Sequence, residues 1–362
     1  MQSDKIVLFA KQSGLTSFSS LFTIKHALNT QKVGHTGTLD SFAQGLLVVC
    51  TGSLTRLAGK ITEFNKSYEA VIKFGEETDT LECTGQLVKK TPLPLLKDLE
   101  EVLQKYKGPL LQTPPSFSAL HIDGKRASDL ARSGKSVELS ARKITVFDSE
   151  LKEILLNEEN RVVAARIYFS VSKGTYIRSL ARDIACDCKS SGTLYGLFRK
   201  SVGDFKIEDA AGFSLLSKFG IKSALENGQK LKESEEKIKN FENYFQTNGI
   251  PKKDWKNNAD YQKIKNSYKS YDEKILEQEV LQKSVNFNSK IAQSCGFGIL
   301  TIKDDSKKIF RNGGKLHSSM FFSSPFEISE DFAAVFSEQN DFLGLLQKNE
   351  QGYFEYSFVV SY

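Results

Sequence analysis

The stretch from Gly34 to Val49 constrains the folding of this chain more than any other. It opens with Gly34-His35-Thr36-Gly37-Thr38-Leu39-Asp40, continues through Ser41-Phe42-Ala43-Gln44-Gly45, and ends in the apolar run Leu46-Leu47-Val48-Val49. Its glycines permit positive φ or the close approach of another backbone. A helix-like segment precedes the turn and a strongly apolar one follows, so it is anchored at both ends. A lone carboxylate in that setting, with His35 a few residues upstream, reads as an acid held at the edge of a cleft.

Periodicity around the turn gives the fold class. Residues 5–10 read as a short strand, Gly14-Leu15-Thr16-Ser17 as a turn, and Phe18 to Leu28 as an amphipathic helix capped by Thr16 or Ser17. Ser53 is placed to cap a second helix through Leu57 and Ile61. Tyr68, Ala70, Ile72 and Phe74 alternate with Glu69, Val71 and Lys73, the period of a strand. Leu95, Leu99, Val102 and Tyr106 recur at helical spacing until Gly108-Pro109 stops them. Val163, Ala165, Ile167, Phe169 and Val171 line one face of a further strand. That strand enters the turn Lys173-Gly174-Thr175, and a helix over Tyr176 to Lys189 follows. Strands and helices mix without a regular βαβα beat, which predicts α+β.

A length of 362 residues calls for two or three domains. Composition shifts near residue 225: the chain becomes dense in Lys, Glu, Asn and Tyr, and Leu276, Val280 and Leu281 hint at a charged helix. We therefore divide it into a domain over residues 1–220, a charged insertion or linker over 221–290, and a small β-rich domain over 291–362. No run approaches the ~18 apolar residues of a membrane span, and the N-terminus lacks a signal peptide's apolar region. A cytoplasmic location with no membrane partner is expected. The five cysteines (Cys50, Cys83, Cys186, Cys188, Cys295) contain no Cys-x-x-Cys pair, and the four histidines are scattered. Reduced thiols, no metal site and no cofactor are the expectation. A net charge of +6 fits a solvated lysine-rich surface as well as a nucleic-acid footprint.

Two glycine-containing stretches need sorting. Gly52 to Gly59-Lys60 is not a P-loop, because the spacing is wrong and Ile61 stands where Ser or Thr is required. Ser172 to Asp183 places backbone N–H groups and Arg178 at a strand end, a tight turn and a helix start, which suits an anion. The anion is either an RNA phosphate or a carboxylate of the protein itself. The plainer reading is that Arg178 and Arg182 face solvent beside Asp183. Tyr68 by pattern alone is a core tyrosine.

The sequence order resolves these options. Lys11-Gln12-Ser13-Gly14-Leu15-Thr16-Ser17, then Gly34 to Leu47, then Lys66-Ser67-Tyr68, then Ser172 to Arg178 resembles the bacterial tRNA pseudouridine-55 synthase (TruB) family. Gly124-Lys125-Arg126 and Ala131-Arg132-Ser133-Gly134 resemble its central segment, and the likeness covers roughly residues 5–210. It implies a pseudouridine synthase catalytic domain with a mixed, mainly antiparallel sheet. It further implies Asp40 as the catalytic aspartate, Tyr68 stacked on the target base, and Arg178 paired with Asp40. Tyr176 would line the pocket and Leu197 form an apolar wall, while Lys11 and His35 support the motif or touch RNA. Departures are Gln12 and Ser41 where proline is usual, Gln44 for a threonine, and Ser128 for an aromatic.

The expected partner is the T-stem-loop of tRNA, bound by a monomer. Recognition outside the pocket would rest on shape and phosphates, with Lys125, Arg126, Arg132 and Lys135 as a basic segment or simply an exposed loop. The strands around Phe297 to Lys315 could form a degenerate RNA-binding domain of PUA type. Rival readings are a non-catalytic tRNA-binding or folding protein of the same shape, a related synthase acting on another RNA, and a hydrolase built on Asp40. No paired second acid supports the last.

Overall fold

In the computed structural model, residues 4–360 are described except 119, 123, 134–138, 256 and 267–271. The longer strands of the main sheet are β1 (Lys5–Lys11), β2 (Gln44–Thr51), β3 (Lys66–Phe74), β4 (Gly108–Gln112), β5 (Arg142–Leu156), β6 (Val162–Val171) and β7 (Gly192–Val202). They lie in the order β1-β2-β7-β3-β6-β5-β4 within a ten-stranded sheet. Neighbours are antiparallel except β2 and β7, which run parallel through Phe198↔Gln44 and Arg199↔Gly45. There the backbones nearly touch: a Cβ on Gly45, at φ +118°, would sit 2.4 Å from the Arg199 carbonyl oxygen. Only glycine fits that position.

Both faces of the sheet are covered, which explains the unbroken apolar run in β2. Leu46, Val48 and Cys50 enter one core while Leu47 and Val49 enter another. Five of its helices matter below: α1 (Leu21–Ala27), α2 (Leu96–Lys105), α3 (Ile177–Asp187), α4 (Ile221–Thr247) and α5 (Glu273–Lys283). Leu99, Val102, Leu180 and Ile184 pack with Ile72, Ile167 and Phe169 in the largest core. The capping expectations hold only in part. Thr16 Oγ1 accepts from the Ser19 N–H (3.0 Å) in the turn leading to α1, which starts at Leu21, whereas Ser17 hydrogen-bonds Leu39 in both directions. Among the described residues the Ser53 side chain caps no helix; its N–H donates to Asp4, inside a 3₁₀ turn over Gly52–Leu57.

The stretch after residue 220 wraps the sheet with helices. Ile221, Ala224 and Leu231 of α4 join the largest core, and the Cβ of Ala224 lies where a Cβ on Gly196 would fall. Leu276 and Val280 of α5 are fully buried against Val7, Phe9 and Leu47, while Leu281 faces solvent. A second sheet follows: β8 (Gly298–Thr301) is parallel to β9 (Phe332–Phe336), and β10 (Phe342–Lys348) and β11 (Phe354–Val359) complete it antiparallel. Phe336, Phe342 and Leu345 share a core with Ile6, Leu46, Val48 and Leu54. Removing residues 290–362 would therefore uncover apolar surface of the main sheet as well as strip any RNA contact.

Candidate active site

Asp40 lies in the turn between the strand Val33–His35 and β2, beside the parallel β2–β7 pair. Hydrogen bonds fix the turn from below. Ser17 Oγ accepts from the Leu39 N–H (2.9 Å) and donates to the Leu39 carbonyl (3.0 Å). The Gly14 N–H donates to the Ser41 carbonyl (2.8 Å). Lys11, fully buried at the end of β1, donates to the carbonyls of Leu15 (2.5 Å), Gln12 (2.9 Å) and Ser41 (3.2 Å). Burial pulls its ammonium down to about 7; Asp40 pulls upward and Arg199 adds to the fall. Three carbonyl acceptors suit three N–H donors, so the site favours the charged form geometrically.

Arg178 enters from α3. Gln112 holds the residue before the helix, accepting from the Tyr176 N–H (2.8 Å) and donating to its carbonyl (3.1 Å). The guanidinium then turns inward rather than to solvent. Nη2 meets Asp40 Oδ1 (3.2 Å) and the Phe117 carbonyl (3.0 Å), and Nη1 meets the Thr80 carbonyl (3.0 Å) and Glu82 Oε2 (3.6 Å). Arg182 takes the plainer course and pairs with Asp183 (2.7 Å). The Arg178 side chain is only 7% exposed. Burial disfavours its charge, yet Asp40 and then Glu82 outweigh it and raise its pKa. Oδ2 of Asp40 makes no hydrogen bond among the described residues, and the Asp40 side chain keeps 31% exposure. One oxygen is thus clamped and the other is available.

Tyr68, Leu39, Phe42 and Leu197 belong to one packed cluster, so the tyrosine does sit in the core as its strand pattern suggests. Its hydroxyl end is polar, however. Tyr68 pairs across the strands with Arg199, whose positive charge acts on the phenol. Burial raises the phenol pKa, and Arg199 opposes that. Arg199 is fully buried and donates to the carbonyls of Leu46 (2.7 Å), Gly37 (3.2 Å) and Thr38 (3.4 Å). It ties β7 to the Asp40 turn, and sequence reasoning missed it. The one available signal was an arginine directly after the apolar run Leu194 to Phe198 of β7. Glu82 was missed too; burial raises its carboxyl to about 7, against the pull of Arg178.

The other expected positions divide. His35 is half-buried; its Nδ1 accepts from the Gly37 N–H (3.4 Å), and burial, then Arg199, lowers its pKa toward the neutral ring. Tyr176 is half-buried beside Arg178, and burial raises its phenol. Lys125, Arg126 and Arg132 are exposed, and Arg132 pairs with Asp129 at 3.3 Å. Their segment is tied to the site through Ser128, whose N–H donates to the Ser118 carbonyl (3.1 Å), next to Phe117. Lys135 and Gly134 lie outside the described residues. Among the described residues no group of three His, Cys, Asp or Glu could hold a metal, and no helix is long and apolar enough to cross a membrane.

A family model described as TruB family pseudouridylate synthase (N terminal domain) matches residues 25–177. A tRNA pseudouridine synthase B of Treponema denticola is 41% identical over 344 residues, spanning 91% of this chain and 88% of its own. Another, from Borreliella burgdorferi, is 40% identical over 246 residues, spanning 67% of this chain and 82% of its own. A solved Cbf5-Nop10-Gar1 complex contains a chain that superposes with TM-score 0.56 over 99% of this chain and 85% of that one. Its 17% identity speaks for the fold alone. This chain belongs to the TruB family.

Proposed function

We propose that the Asp40 cleft isomerises uridine to pseudouridine in tRNA, at position 55 of the T-loop. The reaction breaks the N1–C1′ bond, turns the freed base, and joins its C5 to C1′, with the C5 proton released to solvent and one returned to N1. The target must first leave its stack, which costs on the order of a few kcal/mol and least for a loop base. Stacking on Tyr68, worth about 1–3 kcal/mol, offsets that cost. Arg178 holds Oδ1 of Asp40 and leaves Oδ2 facing the ribose, where it acts on the sugar as positive charge develops. Leu197 and Tyr176 wall the base so that it rejoins instead of diffusing away. Lys11 fixes the turn, and His35 sits where the loop would be opened.

The observation that carries this reading is the 3.2 Å contact between Arg178 and a partly exposed Asp40, made across 138 residues of chain. All these groups come from one chain, so a monomer suffices, working in the cytoplasm where tRNA is processed. Tritium release from 5-tritiated uridine in a T-stem-loop hairpin tests it. Wild type releases tritium and Asp40→Asn does not; full release by Asp40→Asn ends the assignment. Sedimentation of the protein with and without tRNA checks the monomer.

A further inference from the structure

Two loops flank Asp40, and both lack the prolines usual in the family: Gln12 and Ser41 stand in their place, and Gln44 replaces a threonine. Proline fixes φ, so these loops start with more backbone freedom. The structure shows what restrains them. Gln12 Nε2 donates to the Leu215 carbonyl (3.4 Å), and Gln44 Nε2 donates to the Ser217 carbonyl (3.3 Å). Asn227 Nδ2, on the second turn of α4, donates to Ser13 Oγ (2.8 Å), and Ser13 Oγ in turn donates to the Phe42 carbonyl (2.6 Å). Gln12 and Gln44 are each only 8% exposed, so their amides are committed to these partners.

The contacts share one direction. Residues on both sides of the Asp40 turn reach the segment 215–227, which is seated in turn on the sheet by Ile221, Ala224 and Gly228. A Cβ on Gly228 would fall 2.9 Å from the Tyr195 ring. The Asn227–Ser13–Phe42 relay ends two residues from Asp40. Such a relay runs in one sense only: the Asn227 amide N–H donates to Ser13 Oγ, and the Ser13 hydroxyl donates onward to the Phe42 carbonyl.

We propose that residues 215–227 form a positioning strap for Asp40, with Asn227 acting through Ser13 as its principal positioning residue. The proposal rests on Asp40 being the catalytic carboxylate. Hydrogen bonds from outside the motif thereby take over the task that proline stiffness would otherwise perform. Misplacement of a reacting group by about 1 Å can cost up to ~10²-fold in rate, so a partly loosened turn should lose about tenfold.

Asn227→Asp is the sharpest variant, because it keeps the shape but can only accept, which draws the Ser13 proton away from Phe42. With a T-stem-loop hairpin, Asn227→Asp and Ser13→Ala should each lower kcat about tenfold and leave hairpin Kd within about twofold. The double variant should be no worse than Ser13→Ala alone, since both cut one relay. Should Asn227→Asp not fold, Gln12→Ala with Gln44→Ala loosens the same loops and should likewise act on kcat. Wild-type kcat, additive losses, or a loss carried by Kd would each overturn the strap. Asp40→Asn is run alongside: if it is inactive while Asn227→Asp is not impaired, only the strap fails. If Asp40→Asn is active, the reading beneath it fails.

Discussion

Two regions of this protein carry the same charge in opposite surroundings. Lys11, Arg178 and Arg199 are buried under the Asp40 turn, and each spends its N–H groups mainly on backbone carbonyls. Lys125, Arg126 and Arg132 lie exposed on the neighbouring segment, where Arg132 pairs with the solvent-facing carboxylate of Asp129. The inner cations cannot reach a phosphate without unmaking the turn. Their work is to arrange the protein. The outer ones have nothing comparable to lose by exchanging water for an RNA backbone.

The comparison breaks most visibly at Arg178. Arg178→Met leaves two carbonyls, Glu82 and Asp40 without their shared donor. Removing one partner of a buried pair costs about 3–5 kcal/mol, and losing a donor aimed at the reacting charge costs about 10²–10³ in kcat. Urea unfolding and single-turnover tritium release measure the two. Arg178→Lys should rescue little, because a point charge cannot serve Asp40, Phe117 and Thr80 together. A kcat within tenfold of wild type in Arg178→Met would mean the inner cation does not organise the site.

Arg199→Met comes next. It frees the carbonyls of Gly37 and Thr38 and removes the positive charge acting on the Tyr68 phenol, without touching Asp40 directly. A loss of about 1–3 kcal/mol in stability follows from the unpaired buried groups, with kcat down about tenfold to a hundredfold as the turn shifts. An effect confined to hairpin Kd would move Arg199 from the inner class to the outer.

This contrast also explains what was legible in the sequence. Local punctuation marked the two turns, glycine and threonine in one and Lys173-Gly174-Thr175 before the helix of Arg178 in the other, but the pairing of Asp40 with Arg178 came only from the family resemblance. Strands β3 and β6 announced themselves by alternation. Arg199 and Glu82 could not be seen as site residues, because what brings them in is register. Arg199 meets Gly45 through the one parallel pair of the sheet and Tyr68 through an antiparallel one, and no local period records which strands become neighbours. The stretch after residue 220 was hidden for a different reason. Its helices each bury a narrow stripe, Leu276 and Val280 in α5 for instance, under a composition dominated by charge.

Glu82 offers a test by pH. Its carboxyl is raised from 4.5 to about 7, first by burial, against Arg178, with Asp40 and Glu235 adding to the rise. The folded state therefore holds this proton more tightly than the unfolded chain. That contribution is fully present below pH 4.5 and is lost as pH rises through about 7. The stability difference between wild type and Glu82→Gln should accordingly shift against wild type by on the order of 2–3 kcal/mol over that window. Urea midpoints at several pH values report it. A flat difference would place an ionised Glu82 beside Arg178 throughout and make the inner cluster a permanent two-carboxylate clamp.

The smallest effect belongs to the outer cations. Arg132 and Asp129 form an exposed pair at 3.3 Å, and such pairs are worth about 0–1 kcal/mol, so exchanging Asp129 for a phosphate costs little. Arg126→Ala with Arg132→Ala should raise KM for full-length tRNA about threefold to tenfold, with kcat and the urea midpoint unchanged. Each lost phosphate contact should also flatten the slope of log Kd against log salt by roughly 0.7–0.9. The salt slope discriminates better than KM, because only a released counterion moves it. If KM rises while the slope stays put, the segment meets RNA through shape. If neither moves, these arginines are a solvated surface, and the division between arranging and binding cations has only its inner half.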